Sequence, residues 1–545
     1  MNSRNNRCEG KSRCNTIENG LVALAFFFSS MIFCYVPATP VEQGPAKDER
    51  HFYIKEYRVR GGSHLLPQAD VEASVYPYLG PYRTPDDVEQ ARGALEKAYR
   101  DKGFQTVAVQ IPAQQVKSGV IVLEVVPNAV GRLRVNGARY FSVEEIKREA
   151  PSLQEGRIAN FNDVTRDLVA LNQLSDRRVT PTLSAGRLPG TVDVDLNVKD
   201  SFPLHGSVEV NNRYSADTTP LRVNGSVSYD NLWQLGHSIG GSFQIAPENP
   251  NEVKVFSGYY LARVPGVNGL SLMLQGTDQN SNVSTLGGIG VAGRGDTVGL
   301  RAIMALPAQK DFYHSLSLGS DYKHYEQDVL LAGTHTTTPI TYYPLSAAYN
   351  GTWVGKGSET DVNAAVNLHL RGMGSSQLEF NDNRFGADGS FIYFRGDFSH
   401  TRELPEGVQF FGKVQGQAAD QPLVNSEQFS GGGLGSVRGY LESEELGDNA
   451  LLGSVEMRTP SLGGWLGKSV DDWRFYVFSE GGVLAINGAL PEQKTTFTLA
   501  SVGAGTRIKF QDHYNGSLDC GVPLVMGTQT NPYDILLTFR VWAEF

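Results

Sequence analysis

The residues of this chain best placed for chemistry lie between Glu427 and Pro460, in the stretch EQFSGGGLGSVRGYLESEELGDNALLGSVEMRTP. Gly431, Gly432, Gly433 and Gly435 let the backbone fold back on itself, because glycine adopts φ > 0 without a steric penalty. The turn delivers one arginine, Arg438, inside Val437-Arg438-Gly439-Tyr440. An acidic segment follows at Glu442, Glu444, Glu445 and Asp448, and a period-two strand opens at Leu451. Arginine stays charged and carries a rigid fork of donors, so its natural partner is a carboxylate. Further on, Phe478-Ser479-Glu480-Gly481-Gly482 lies in an alternating segment. There Arg474, Tyr476, Phe478 and Glu480 share one face and Val477 lies on the other.

Other patterns of this kind lead nowhere. Gly288-Ile289-Gly290-Val291-Ala292-Gly293 satisfies G-x-G-x-x-G, but that fingerprint needs a buried strand before it and a helix after it. Here GDTVGLRAIMAL follows and reads as a strand, so the glycines mark a turn between close-packed strands. The glycines at 431–435 lack the spacing and the Lys-Ser/Thr of a phosphate loop. The ten histidines are scattered, with no H-E-x-x-H and no metal-ligand spacing, and no G-x-S-x-G surrounds Ser436. No catalytic residue, cofactor or metal is expected, and the chain does not read as an enzyme.

Two tandem units stand before this region. The first has a strand at Phe52–Val59, a turn at Gly61-Gly62, helices over Gln68–Leu79 and Pro85–Lys102, and strands over Thr106–Ile111 and Val120–Val126. The second helix has Thr84 before Pro85, acids in its first turn, Val88, Ala91, Leu95 and Tyr99 on one face, and Gly103 beyond its end. The order repeats with a strand at Gly131–Val135, helices at Val143–Glu149 and Asn162–Leu174, and strands at Val179–Ser184 and Thr191–Val198. Each unit is a small sheet with two helices on one face, and its edge strands can accept an extended partner.

After Asp200 no helical period survives. Alternating segments recur between turn residues: Gly206–Asn212, Leu221–Tyr229, Ser238–Ile245, Lys254–Ala262, Leu270–Gln275 and onward. In Tyr533–Phe545 one face is Tyr533, Ile535, Leu537, Phe539, Val541, Ala543 and Phe545, and the other carries Asp534, Thr538, Arg540 and Glu544. One face suits lipid and the other a wet lumen. The span of about 345 residues accommodates sixteen strands at roughly 22 residues each, and a closed barrel is the all-strand way to satisfy every backbone group in lipid.

Composition agrees. The chain has 545 residues, 60 glycines, 23 tyrosines, 26 phenylalanines and 19% charged residues, which suits many strands and turns. A net charge of −10 offers no basic face for nucleic acid. Mean hydropathy is −0.27, which does not exclude the membrane, because a spanning barrel alternates polar and apolar residues. Residues 1–38 read as an export signal, with Arg4, Arg7, Lys11 and Arg13 before the apolar Leu21–Val36 and cleavage after Ala38. Residues 39–50 are a short polar linker. Of the four cysteines only Cys520 lies beyond that signal, so no disulfide forms in the mature chain.

With its surroundings, the VRGY stretch resembles the VRGY loop of the Omp85 superfamily, and is closest to the TpsB transporters of two-partner secretion, the ShlB/FhaC/HecB family. The tandem units resemble POTRA domains, and ending on Phe545 resembles the C-terminal signal of bacterial outer-membrane barrels. The resemblance implies residues 51–127 as POTRA 1, 128–199 as POTRA 2, and 200–545 as a sixteen-stranded antiparallel barrel including the loop at about 427–450. It also implies that the loop folds into the barrel and that Arg438 meets Glu480, in a motif resembling F-x-D-x-G made by Phe478, Glu480 and Gly482. Glutamate stands where the family has aspartate. Many family members carry an N-terminal plug helix, and the linker here is too short to supply one.

The implied function is export of an unfolded TpsA exoprotein, an adhesin or haemolysin, across the outer membrane of a Gram-negative bacterium, with the POTRA domains in the periplasm. The other partners expected are outer-membrane lipid and, during biogenesis, the barrel-assembly machinery, with the chain acting as a monomer. The alternative is an Omp85-type insertase for other barrels, although insertases usually carry more POTRA repeats.

Overall fold

A computed structural model describes residues 51–545 apart from 63, 117, 268, 282, 285–290, 293, 308, 332 and 333. The expected export signal, the linker and most of the G-x-G-x-x-G segment lie outside the described residues.

The first unit contains β1 (Phe52–Ile54), β2 (Glu56–Arg60), α1 (Gln68–Val75), β3 (Gly80–Arg83), α2 (Pro85–Asp101), β4 (Val107–Gln110) and β5 (Val120–Pro127). The single strand expected over Phe52–Val59 is in fact two. β1 pairs with β3, whereas β2 runs parallel to β5, and the chain changes partner at Lys55. Strand β3 was hidden because its Gly80-Pro81 opening reads as a turn. Buried Val88, Ala91, Leu95 and Tyr99 of α2 face the sheet and join Ile54, Val107, Val109, Ile121, Leu123 and Val125 in the unit's core.

Helix α2 begins at a reciprocal cap. The Asp87 amide donates to Thr84 Oγ1, and the Thr84 amide donates to Asp87 Oδ2 at 2.8 Å. The hydrogen bond from the Thr84 amide holds the Asp87 carboxyl below its ordinary range. A group whose folded pKa is depressed contributes stability above its unfolded pKa, and loses it as pH falls through the folded value. Thr84→Ala is therefore expected to weaken this unit by about 1 kcal/mol at neutral pH. It should also flatten the acid limb of its stability curve slightly, because the Thr84 hydroxyl no longer donates to the Asp87 carboxylate while the backbone amide still does. Urea unfolding of the unit followed by circular dichroism over a pH series checks both, and equal stability of the two proteins at neutral pH would refute the cap's role.

The second unit contains β6 (Ala129–Asn136), α3 (Val143–Arg148), α4 (Phe161–Leu171), β7 (Arg177–Ala185) and β8 (Thr191–Asp200). Its strand order, β6-β8-β7 with β6 parallel and β7 antiparallel to β8, repeats β2-β5-β4 of the first. It has its own core around Ile146, Leu171 and Leu196.

The barrel follows. Its strands are β9 (Leu204–Asn211), β10 (Arg222–Leu232), β11 (His237–Ile245), β12 (Val253–Arg263), β13 (Leu270–Ser281), β14 (Arg294–Ala305) and β15 (Phe312–Leu331). Next come β16, in two segments (Thr334–Tyr342 and Leu345–Gly355), β17 (Ser358–His369), β18 (Phe391–Glu403), β19 (Gln409–Ala419) and β20 (Asn449–Arg458). The last are β21 (Val470–Ala485), β22 (Thr496–Phe510), β23 (Tyr514–Pro523) and β24 (Leu536–Glu544). Each strand pairs antiparallel with the next, and β24 returns to β9 to close the ring. Both segments of β16 lie on β15, the upper against Lys323–Leu331 and the lower against Phe312–Ser320, so they make one wall position and the ring has sixteen strands.

Alternation sets the two faces. On β21, Val477 is 60% exposed on the outside, while Tyr476 is 2% exposed within. Val208, Leu300, Leu318, Phe394, Val414 and Val541 join Val477 in the outer apolar face. At the seam, Arg540 of β24 pairs with Glu209 of β9 at 2.6 Å, and the Phe545 amide donates to the Gly206 carbonyl at 2.9 Å.

Two expectations for this half need correction. The final strand starts at Leu536, not Tyr533, because Tyr533 takes φ +68° in the preceding turn. Helices do occur after Asp200: α5 (Gln377–Asn383) and α6 (Gly463–Leu466) sit in connections between strands. The start of α5 was signalled by Ser376-x-x-Glu379, which forms a reciprocal cap.

Candidate functional site

The connection from β19 to β20, residues 420–448, turns inward. A miniature hairpin pairs Phe429–Gly431 with Glu445–Gly447, and the VRGY tetrapeptide lies between its arms. Gly432 (φ +103°) and Gly433 (φ +84°) make the bend. A side chain at Gly433 would begin 2.3 Å from the Glu442 carboxylate.

Arg438 reaches the wall at the lumen faces of β20, β21 and β23. Its backbone amide donates to Glu480 Oε2 at 2.6 Å, and its Nε and Nη2 donate to Glu480 Oε1 at 2.9 and 2.6 Å. Its Nη1 donates to Asp519 at 2.9 Å, and Nη2 forms an ion pair with Glu456 at 2.9 Å. Arg458 and Arg507 also pair with Glu456, so three arginines face three carboxylates. Ser454 and Tyr476 donate to Glu480 and Asp519, each at 2.8 Å. The guanidinium lies 3.6 Å from the Phe478 ring centroid, a cation–π contact. All four donor-bearing or accepting groups at the centre, Arg438, Glu456, Glu480 and Asp519, are buried.

Glycines make the room. Side chains at Gly503 and Gly505 of β22 would begin within 2.3 Å of the Phe478 ring and 2.6 Å of the Tyr476 ring. Gly439 (φ +92°) meets the backbone of Gly521, where an added Cβ would lie 2.5 Å from the Gly439 nitrogen. At Gly482, a Cβ would fall 2.1 Å from the Leu451 carbonyl. The rest of the tetrapeptide is anchored as well. Val437 packs with Tyr440, Leu452, Leu484 and Leu499, and the Tyr440 hydroxyl donates to the Val525 carbonyl at 2.7 Å.

The acidic segment is buried rather than solvated. Glu442 accepts from Arg213 at 2.7 Å. Glu444 accepts from the Gln529 and Thr530 amides at 2.7 and 2.8 Å, and Glu445 from the Thr528 amide at 2.9 Å. Asp448 accepts from the Leu423 and Asn487 amides at 2.9 and 2.7 Å. At the loop's base, Glu427 accepts from Lys323 and Tyr342, both at 2.5 Å, and from Tyr393 at 2.6 Å.

Sequence reasoning singled out Arg438 and Glu480, which the structure brings together. It missed Glu456, Asp519, Arg213 and Glu427 as partners. Alternation along β20 and β23 puts Glu456 and Asp519 on the lumen side, which is the signal that was available. Phe545 lies apart from this cluster, at the seam.

A closed sixteen-stranded barrel behind small β-α-α-β-β units, with a glycine-rich loop pinned inside by an arginine, defines a transporter-type barrel of the Omp85 superfamily. The family model described as "POTRA domain, ShlB-type" matches residues 52–128, and that described as "Haemolysin secretion/activation protein ShlB/FhaC/HecB" matches residues 190–508. The outer membrane transporter CdiB of Dickeya dadantii is 24% identical over 457 residues, covering 74% of this chain and 71% of that protein. The solved structure of CdiB from Escherichia coli superposes with a TM-score of 0.67 at 21% identity, covering 94% of this chain and 93% of that one. BamA from Haemophilus ducreyi, lacking POTRA domains 1–3, shares the fold more distantly, with a TM-score of 0.54 at 13% identity over 91% of this chain and all of that one.

The chain belongs to the ShlB/FhaC/HecB family of haemolysin secretion/activation proteins. It is a TpsB-type outer-membrane transporter with its POTRA domain in the periplasm, and the family match favours secretion over barrel insertion.

Proposed function

We propose that this transporter captures an unfolded TpsA-type exoprotein in the periplasm and threads it through the barrel while the loop around Arg438 stays seated on the lumen wall. The observation that carries this reading is the buried arginine of the loop tip among Glu456, Glu480 and Asp519. A seated loop leaves the remaining lumen, lined by inward polar residues, as the path for an extended chain.

Residues 128–199 act as a second POTRA domain in this reading. Its edge strand β7 is nine residues long and offers backbone groups to an extended segment of the exoprotein by strand addition. Folding of the exoprotein outside supplies direction, and no covalent chemistry is required. The chain works as a monomer in outer-membrane lipid after insertion by the barrel-assembly machinery.

The test is export of the TpsA-like protein encoded beside this gene, in cells with and without the transporter. Exoprotein is expected in the medium only when the transporter is present. Retention in the periplasm despite a folded barrel in the outer membrane would defeat the reading. A general loss of other barrels on deletion would instead point to insertion.

A further inference from the structure

Where the second unit meets the periplasmic mouth of the barrel, three side chains from three chain segments converge. Asp176 comes from the turn between α4 and β7, His205 from β9 and Asp230 from β10. His205 lies opposite Ser228 in the β9–β10 register, so Asp230, two residues on, projects from the same lumen face. His205 Nε2 is 2.9 Å from Asp176 Oδ2 and 3.7 Å from Asp230 Oδ2. One donor atom from each residue fits within 4.8 Å of the others.

We propose that Asp176, His205 and Asp230 form a divalent transition-metal site of the zinc class, which clamps the second unit over the pore mouth. Zinc bonds of 2.0–2.2 Å place tetrahedral donors about 3.3–3.6 Å apart, and the two separations to His205 bracket that range. The two aspartates, whose donor atoms lie within 4.8 Å of each other, come to that spacing by side-chain rotation. The Asp176 side chain is 5% exposed, and among the described residues no lysine or arginine pairs with it or with Asp230. A buried carboxylate without a permanent cation, aimed at a second carboxylate and an imidazole, is a setting that a cation completes.

The outer sphere is built too. Ser201 Oγ donates to Asp176 Oδ1 at 3.0 Å, which leaves Oδ2 aimed into the cluster. His205 and Asp230 remain partly open to solvent, so water can fill a fourth position. An imidazole with only three protein donors suits zinc better than calcium or magnesium, which prefer six or more oxygens.

The site bridges two bodies that already touch. Gln234 in the β10–β11 turn donates to the Tyr140 carbonyl at 3.1 Å and accepts from the Ser142 amide at 2.8 Å, and Arg263 reaches Gln173 at 3.0 Å. A metal with ligands on both bodies binds more tightly when they are docked, and by linkage stabilises docking.

The test uses the full-length protein in detergent, without a histidine tag, stripped with chelator and titrated with zinc chloride. One zinc per chain is expected, with affinity falling on the order of 100-fold in His205→Gln and in Asp176→Asn. Cobalt(II) should give the intense visible absorption of a four-coordinate site in the wild type only. A spin-label distance between the second unit and the β12–β13 turn should narrow on zinc addition. Heat-modifiable migration confirms that each variant barrel is folded. Equal zinc binding by wild type and both variants overturns the site, and preference for calcium over zinc overturns its class.

Discussion

Arg438→Ala is expected to reduce export of the exoprotein to near background while the barrel still inserts and folds. The substitution removes one cation from among Glu480, Glu456 and Asp519, all buried, and leaves Arg458 and Arg507 to answer three carboxylates. Breaking a buried ion pair from one side costs about 3–5 kcal/mol, since the stranded charge keeps its desolvation penalty. That corresponds to about two to four decades in the equilibrium between seated and released loop. The strands themselves keep their ladders, so the loss falls on the loop and not on the ring.

Lysine at 438 should recover only part of the export. It carries charge but lacks the fork that spans Glu480 and Asp519 together, and it cannot stack on Phe478 as a planar cation. Adding Glu480→Gln to Arg438→Ala should restore some loop seating by removing one stranded charge. Export is measured at matched levels of heat-modifiable barrel in the outer membrane. Wild-type export by Arg438→Ala would reduce the arginine to a brace with no part in transport.

Much of this was legible because a barrel strand repeats with period two whatever its partners. Alternation in Tyr533–Phe545 and around Glu480 predicted which side chains face lipid, and it survives even where a strand end shifted. The Thr84–Asp87 cap and the Val88–Tyr99 face were legible for the same reason, since both are local. What escaped depends on contacts distant in sequence. Arg213 meets Glu442 and Lys323 meets Glu427 only after the ring closes and the loop turns in. An acidic run beside a glycine turn looks solvated in one dimension, yet Glu444 and Glu445 are each sated by amides of the β23–β24 connection. The split of Phe52–Val59 was invisible too, because both halves are apolar enough for a strand and only the partner changes.

The loop has a second anchor, and its removal separates two roles that Arg438 combines. Glu427 holds the base of the loop to β15, β16 and β18, an arc of wall distinct from the β20–β23 arc that holds the tip. Glu427→Ala strands the Lys323 ammonium and leaves the Tyr342 and Tyr393 hydroxyls without their acceptor, a loss again of about 3–5 kcal/mol. The tip remains pinned by Arg438, so the loop should swing about its tip and uncover the lumen. Greater sensitivity of cells to large antibiotics and faster proteolysis of residues 420–430 from outside are expected, with export retained in part. Lys323→Met combined with Glu427→Gln removes both charges and keeps an amide for the two tyrosines, so it should recover most of the barrier. If Glu427→Ala neither leaks nor exposes the loop, the tip alone holds the loop in place. If it leaks while exporting normally, cover of the lumen belongs to the base and transport to the tip.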